Sequence, residues 1–246
     1  MHARTSSTRT VDPAARVARH DWPQAYEQLD ARGFTVLEGL LDEQECGELR
    51  ALYSADHGFR KRVVMQRHGY GRGEYRYFAY PLPPLITDLR THLYPRLAGI
   101  ANRWLEQLRI DTRFPDDHHS FLQRCHVAGQ TLATPLLLRY GAGDYNCLHQ
   151  DLYGEHVFPL QAAALLSQPG EDFTGGEFVL TEQRPRMQSR AAVVPLRRGD
   201  LVIFAVHHRP VRGTRGSYRV NMRHGVSTVD SGERFTAGVI FHDAGT

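Results

Sequence analysis

Apolar positions in the first half of the chain recur mainly at helical spacing. A mostly leucine stripe runs through residues 85–108 at intervals of three and four, which predicts a long helix packed against a large surface. Further upstream, Asp42 and Glu45 have the spacing of a helix capping box. A short strand is predicted at residues 34–37, after a glycine that is typical of a helix end. Residues 21–130 are therefore predicted to form a mainly helical support region.

The pattern changes after residue 130 to short apolar runs separated by glycine, proline and aspartate. Seven such runs follow one another, and each has the length and residue types of a β-strand. They read TPLLLRY, YNCLHQDL, LQAAALLS, GGEFVLTE, GDLVIFAV, SYRVNMRHGV and RFTAGVIFH. Residues 131–246 are therefore predicted to form an all-β sandwich or barrel.

Length and composition favour one catalytic unit. A chain of 246 residues can form a single well-cored domain, so we expect residues 21–130 and 131–246 to fold together. The net charge of +3 is only mildly basic, and no apolar run reaches the roughly 18 residues of a membrane span. Three cysteines without metal-site spacing fit a reducing, cytoplasmic location. Residues 1–20 lack the apolar core of a secretory signal and are expected to be a disordered tail.

Two candidate metal ligands lie close together in the second predicted strand. His149 and Asp151 are two residues apart, so a strand would direct both side chains to the same face. One carboxylate and two imidazoles form the facial triad suited to non-haem Fe(II), because three coordination positions stay open. The His-x-Asp spacing alone is weak evidence, since a chain of this composition contains about one such match by chance.

Two later strands supply a third candidate ligand and a candidate anion site. In SYRVNMRHGV, His224 shares one strand face with Val220 and Met222 and is predicted to point inward. Ten residues later, Arg234 and Thr236 share one face of the last strand, where a guanidinium and a hydroxyl can bind a carboxylate. A hydrogen-bonded core histidine and a surface salt bridge are the ordinary alternatives.

These motifs together carry a family resemblance. The segment 140–241 resembles the catalytic core of the 2-oxoglutarate/Fe(II) dioxygenases, and is most similar to their prolyl-4-hydroxylase-like branch. RYGAGDYNCLHQD resembles the run that leads into the first two iron ligands, and GGEF and PLRRGDLVIF resemble the entries of two later strands. HGVSTVDSGERFT resembles the segment that carries the distal histidine and the oxoacid-binding arginine.

The resemblance implies an α+β fold in which N-terminal helices pack on a double-stranded β-helix, or jelly roll. It implies that His149, Asp151 and His224 bind Fe(II) and act in catalysis, with 2-oxoglutarate and O2 as cosubstrates. Arg234 and Thr236 would bind the distal carboxylate of the oxoacid with help from Tyr140. Prolyl hydroxylases often have lysine at the position of Arg234, so this departure loosens the assignment to that branch.

Other residues give alternative ligands and candidate substrate contacts. His207 and His208 precede a Pro-Val pair and are the alternative distal ligands, with Arg219 as the matching anchor. Tyr145, Tyr153 and the glycine-rich and aromatic segment 68–78 are candidate substrate contacts, and that segment is either a lid or a surface connection. Arginines 209, 212, 215, 219 and 223 can bind an acidic substrate or nucleic-acid phosphate, although a solvated face is the usual role of such residues.

Three functions are compatible with these features. The first is hydroxylation of a peptide or amino-acid-like substrate with release of succinate and CO2, and Asp151 favours hydroxylation over halogenation because it occupies the position of a halide. The second is modification of nucleic acid, although the demethylase branch usually has a second arginine where this chain has Ile240. The third is a non-enzymatic, cupin-like barrel that binds a metal or small ligand, in which Arg234 and Thr236 would have no purpose.

Overall fold

A computed structural model of the protein describes residues 12–152, 154–214 and 216–245. Its helices, apart from a short 3-10 turn at Met65–His68, are α1 Pro13–Arg19, α2 Trp22–Arg32, α3 Glu43–Leu52, α4 Pro84–Gln107 and α5 His118–Val127. Its first strands are β1 Phe34–Leu37, β2 Phe59–Val64, β3 Gly71–Arg72 and β4 Glu74–Phe78. Next come β5 Leu136–Tyr140, β6 Tyr145–His149, β7 Leu160–Leu165, β8 Phe173–Gly175, β9 Phe178–Gln183 and β10 Arg190–Val194. The last are β11 Leu201–Ala205, β12 His208–Gly213, β13 Gly216–Val226, β14 Val229–Gly232 and β15 Arg234–Val239.

Two antiparallel sheets form the centre of the molecule. The larger sheet has the order β1-β11-β7-β15-β5-β4-β2, and the smaller has the order β10-β9-β13-β6-β3 with β12 paired to β13. Strands β8 and β14 form a separate pair. Buried side chains of both sheets meet in one cluster, where Phe178 and Leu180 of the smaller sheet pack with Val202 and Phe204 of the larger. The mixed helix and strand content confirms the coarse prediction of helices with a mainly antiparallel β core.

Strands β7, β11 and β15 of the larger sheet are buried on both faces, and their side chains alternate between two environments. On β15, Phe235, Ala237 and Val239 pack into the core shared with the helices, whereas Arg234 and Thr236 face the other sheet. The sequence predicted this arrangement, in which Arg234 and Thr236 share one face of the last strand. Strands β5, β7 and β11 alternate in the same way, so one face of the larger sheet holds the helices and the other lines a cavity.

The helix ends agree with the capping signals of the sequence. Asp42 accepts from the backbone N–H of Glu45, while the Glu45 carboxylate accepts from that of Asp42, which completes the predicted capping box of α3. Gly33 ends α2 with a φ of 80°, a left-handed conformation that glycine adopts without strain. The predicted long helix is α4, whose apolar stripe is buried along its length.

Two parts of the N-terminal half differ from the predictions. Residues 13–19 lie within the predicted disordered tail but form α1, because Asp12 caps the helix and Val17 is buried, where its carbonyl accepts from the Trp22 indole at 2.8 Å. Residues 1–11 lie outside the described part. The segment 68–78 contributes β3 to the smaller sheet and β4 to the larger. The support region 21–130 therefore supplies strands to both sheets as well as helices.

Within the described ranges, no helix combines the length and the apolar character needed to cross a membrane.

Core packing of α4 should contribute measurably to stability. Leu93 is fully buried between the helices and the larger sheet. We expect Leu93→Ala to lower the free energy of unfolding by about 2–5 kcal/mol, because it removes buried methyl groups and leaves a cavity. Urea unfolding measures this change, and Val127→Ala is the control because Val127 is 90% exposed. Equal stability of the two variants would contradict the described packing.

Candidate active site

A cavity of about 210 Å³ lies between the two sheets. The larger sheet contributes alternate residues of β4, β5, β7, β11 and β15, and the smaller sheet contributes β6, β9 and β13. His149, Asp151, His224, Arg234 and Thr236 all line this cavity. The residues selected from distant parts of the sequence therefore meet in one place.

His149 is the last residue of β6, and its ring orientation is fixed by the backbone. Its Nδ1 lies 2.7 Å from the carbonyl oxygen of Cys147, an arrangement in which Nδ1 carries the proton and donates it. This leaves Nε2 as the nitrogen that faces the cluster, and histidine binds a metal through such a nitrogen in its unprotonated form. Its distance to the Asp151 Oδ1 is 3.5 Å.

His224 reaches the same point from the neighbouring strand. It is paired in register with His149, and the two ring centroids are 4.2 Å apart. Gly225 allows this close approach, since a Cβ there would lie 2.6 Å from the Asn146 carbonyl oxygen on β6. The His224 ring packs 4.6 Å from the Phe204 ring, which leaves the imidazole 6% exposed.

Asp151 lies beyond the end of β6, in an irregular segment. The prediction that it shares a strand face with His149 is wrong in this respect, because the strand ends at His149. Its carboxylate still meets both rings, with Oδ2 at 3.3 Å from the His224 Nε2. Burial alone raises the pKa of Asp151, but the adjacent imidazoles of His149 and His224 favour the carboxylate more strongly and hold the pKa well below its ordinary value.

The three side chains have the geometry of a metal centre. Their ligand atoms all lie within 4.8 Å of one another, and in the described parts of the chain they are the only such group of His, Cys, Asp or Glu residues. Burial and the charge of His149 lower the pKa of His224, which favours the neutral ligand form. Two imidazoles and one carboxylate fit Fe(II) with open positions, whereas a structural zinc site requires four ligands.

Arg234 is a fully buried cation in the same cavity. Its Nη1 donates to the Thr236 hydroxyl at 2.6 Å, and the centre of its guanidinium lies 5.6 Å from the Tyr140 ring centroid. Tyr140 is paired with Arg234 in register, is fully buried, and accepts a 3.3 Å hydrogen bond from Asn146. Arg234, Thr236 and Tyr140 therefore form one continuous wall of the cavity.

The charge of Arg234 has no carboxylate in direct contact among the described residues, and Glu177 acts on it only from a longer distance. No carboxylate there lies within 4.0 Å of its guanidinium, and its Nε has no hydrogen-bond partner. Burial lowers the pKa of Arg234 to about 10, so the group is still charged at neutral pH. An unpaired buried charge costs several kcal/mol, which an anionic ligand with carboxylate geometry would offset.

The alternative ligands and anchor lie elsewhere. His207 and His208 lie at the start of β12 with their ring centroids 3.8 Å apart, and neither lines the cavity. Arg219 is exposed on β13. Tyr145 is also outside the cavity lining, and Tyr153 lies outside the described residues.

Some cavity residues were missed by the sequence analysis. From the segment 68–78, Tyr70, Tyr75 and Tyr77 line the cavity as expected for substrate contacts, but Gln161 and Phe204 were not selected. The sequence does contain a signal for Gln161, because this single glutamine interrupts the apolar run of the predicted strand LQAAALLS. Because both faces of β7 are buried, the sequence did not show which face bordered a cavity.

The comparisons with known proteins agree with this site. A family profile described as "Oxygenase, catalysing oxidative methylation of damaged DNA" matches residues 73–244. The match covers more than half of the chain, so the protein belongs to this oxygenase family. Two uncharacterised proteins from Mycobacterium tuberculosis, strains CDC 1551 / Oshkosh and ATCC 25618 / H37Rv, are 50% identical to it over 167 residues. That length is 68% of this chain and 72% of each relative.

Solved structures show a shared fold at low sequence identity. A 2OG-Fe(II) oxygenase family oxidoreductase from Burkholderia pseudomallei has a TM-score of 0.54 and 17% identity, covering 93% of this chain and 95% of that one. A prolyl 4-hydroxylase from Phytophthora capsici has a TM-score of 0.54 and 18% identity, and the match covers 95% of this chain and 66% of that one. The non-haem α-ketoglutarate-dependent epimerase SnoN of nogalamycin biosynthesis has a TM-score of 0.53 and 19% identity, and the match covers 92% of this chain and 82% of that one.

The family match, the shared fold and the His-Asp-His cluster together confirm the predicted resemblance to the 2-oxoglutarate/Fe(II) oxygenases. The predicted cofactors, Fe(II), 2-oxoglutarate and O2, are those of this superfamily.

Metal binding by the cluster is directly testable. Fe(II) added without oxygen should raise the melting temperature of the wild type, because a ligand that binds only the folded state stabilises it. We expect His149→Ala and His224→Ala to abolish this rise, while His207→Ala keeps it because His207 lies outside the cavity. A metal-induced rise that survives His224→Ala, or that requires His207, would contradict the assignment.

Proposed function

We propose that this protein is an Fe(II)- and 2-oxoglutarate-dependent oxygenase that hydroxylates a C–H bond and releases succinate and CO2. The observation that carries the proposal is the position of Arg234, a buried cation without a carboxylate partner among the described residues, in the same cavity as a His-Asp-His cluster. Such a pair of sites matches a ligand that chelates iron at one end and carries a free carboxylate at the other.

The path of the chain supports a double-stranded β-helix as the scaffold. Strands β5, β7, β11 and β15 belong to the larger sheet, whereas β6, β9 and β13 belong to the smaller sheet. After β5 the chain thus crosses repeatedly from one sheet to the other. This alternation is expected when an antiparallel ribbon winds into a jelly roll.

The polar residues that the sequence singled out would then form two groups, one for the metal and one for the oxoacid. His149, Asp151 and His224 would hold Fe(II), which when bound supplies the oxygen activation that drives decarboxylation of the oxoacid and oxidation of the substrate. Arg234 would bind the distal carboxylate of 2-oxoglutarate bidentately, with the Thr236 hydroxyl as a further donor.

Apolar and aromatic walls keep this chemistry away from water. Leu138, Phe178, Phe204 and Val226 line the cavity around the polar groups. Exclusion of water strengthens the interaction between Arg234 and a carboxylate and limits side reactions.

We propose nucleic acid as the substrate class. The family to which the chain belongs is described as acting on damaged DNA. Arg212, Arg219 and Arg223 are exposed on the β12–β13 hairpin, and none has a carboxylate within 4.0 Å in the described part of the chain. At the cavity, Tyr70 is 50% exposed and stacks on His68, which gives an aromatic surface suited to an unstacked base.

A peptide or amino-acid-like substrate is the second candidate. It is favoured by the order of the sequence motifs, which is that of the prolyl-4-hydroxylase-like branch. The third candidate, a barrel without turnover, is the least supported, because it gives the buried charge of Arg234 no ligand.

The oxoacid site predicts a selective loss of affinity. We expect Arg234→Gln to raise the KM for 2-oxoglutarate about 30-fold or more, since losing one partner of a buried charge pair costs about 2–5 kcal/mol. Succinate formation at varied oxoacid concentrations measures this effect, and Fe(II) stabilisation should persist. Arg113→Gln, in which an exposed arginine outside the proposed binding sites is changed, is the control. An unchanged KM in Arg234→Gln would refute the anchor.

The nucleic-acid proposal predicts salt-dependent binding. Fluorescence anisotropy of a labelled single-stranded oligonucleotide should give an affinity that falls as salt rises, because phosphate binding releases counterions. The double change Arg219→Gln and Arg223→Gln should weaken binding. It should also reduce the slope of log affinity against log salt concentration by roughly 0.7 for each phosphate that is no longer neutralised. Arg113→Gln, an exposed arginine after α4, should leave the slope unchanged. Binding that is insensitive to the double change would contradict this role of the hairpin.

A further inference from the structure

Gln161 is the polar exception in a buried apolar strand. Strand β7 has the sequence LQAAAL, every residue of it is buried, and Gln161 is only 5% exposed. Its side-chain Oε1 is buried without a hydrogen-bond partner among the described residues. Buried polar groups are normally hydrogen-bonded, so an orphaned acceptor of this kind requires an explanation.

The side chain of Gln161 faces the cavity between the two sheets. Ala162 and Ala164 pack into the core beneath the helices, whereas Gln161 and Ala163 line the cavity. Gln161 is paired in register with Phe204, whose ring packs against that of His224. The unpaired acceptor therefore lies next to the residues that support the metal cluster.

The oxoacid is not a suitable partner for this acceptor. On β15, Val239 is paired with Ala162, so the same register places Ile240 beside Gln161 and six residues away from Arg234. Six strand residues span about 20 Å, so Gln161 and Arg234 approach the cavity from opposite ends. The carboxylates and keto group of 2-oxoglutarate also offer only acceptors, and the Gln161 Oε1 requires a donor.

The geometry points to Gln161 as a specificity-determining residue that accepts a hydrogen bond from an N–H group of the primary substrate. This inference rests on the proposed oxygenase function and its nucleic-acid substrate. A carboxamide matches a planar edge on which an amino donor lies next to an acceptor, as on adenine. Tyr75 and Tyr77 line the same cavity and are suited to contacting the face of such a base. The site should therefore prefer an amino-bearing base to one that presents a keto oxygen at the same position.

The first test uses stability. Replacing an unsatisfied buried amide with an apolar side chain of similar shape removes a desolvation penalty. We expect Gln161→Met to unfold at a urea concentration equal to or higher than that of the wild type, and Gln183→Met, at an exposed glutamine of β9, to leave the midpoint unchanged. A lower midpoint for Gln161→Met would show that Gln161 has a protein partner, and would overturn the inference.

The second test uses turnover. The wild type and Gln161→Met are compared on single-stranded oligonucleotides that carry one N-methylated adenine or one N-methylated thymine, with succinate as the readout. We expect the wild type to prefer the adenine substrate, and Gln161→Met to lose roughly tenfold in kcat/KM on that substrate alone.

The possible negative results distinguish the assignment of Gln161 from the proposed oxygenase function. Equal kcat/KM losses on both oligonucleotides, or no loss, would overturn the assignment of Gln161. If the wild type binds Fe(II) and 2-oxoglutarate but acts on neither oligonucleotide, the base-reading role fails while the oxygenase proposal stands. If it binds no oxoacid at all, the proposed function fails first.

Discussion

The buried guanidinium of Arg234 is the constraint on which the chemistry of this cavity depends. A charged group with no carboxylate within 4.0 Å in the described part of the chain is unfavourable in the free protein, and an anionic ligand relieves that cost. Its position is fixed by strand parity, which places Arg234 and Thr236 on the cavity face while Phe235 and Ala237 anchor the strand in the core. One face of this strand thus packs in the core, and the opposite face carries the polar groups of the cavity.

The metal cluster depends on the same sheet geometry. His149 and His224 meet because β6 and β13 are paired in register, and Gly225 lets the two backbones approach. The hydrogen bond from the His149 Nδ1 to the Cys147 carbonyl leaves the opposite nitrogen free for a metal. The two histidines of the cluster and the proposed oxoacid anchor therefore come from two facing sheets, and the cavity lies between these sheets.

Much of this arrangement is predictable from sequence, for physical reasons. The stripe of α4, the capping box at Asp42 and the face shared by Arg234 and Thr236 follow from local periodicity and short-range hydrogen bonding. The helix α1 was not predicted, since its stability depends on burying Val17 against distant elements. The position of Gln161 in the cavity could not be predicted, because both faces of β7 are buried and only the tertiary fold distinguishes core from cavity.

The most direct test of the oxygenase assignment is visible absorption under anaerobic conditions. Fe(II) and 2-oxoglutarate are added to the purified protein, and the spectrum is searched for the charge-transfer band of an iron-chelated oxoacid. We predict a band in the wild type that is lost in His224→Ala and requires a much higher oxoacid concentration in Arg234→Gln. A wild-type protein that shows no band at saturating iron and oxoacid would contradict the assignment.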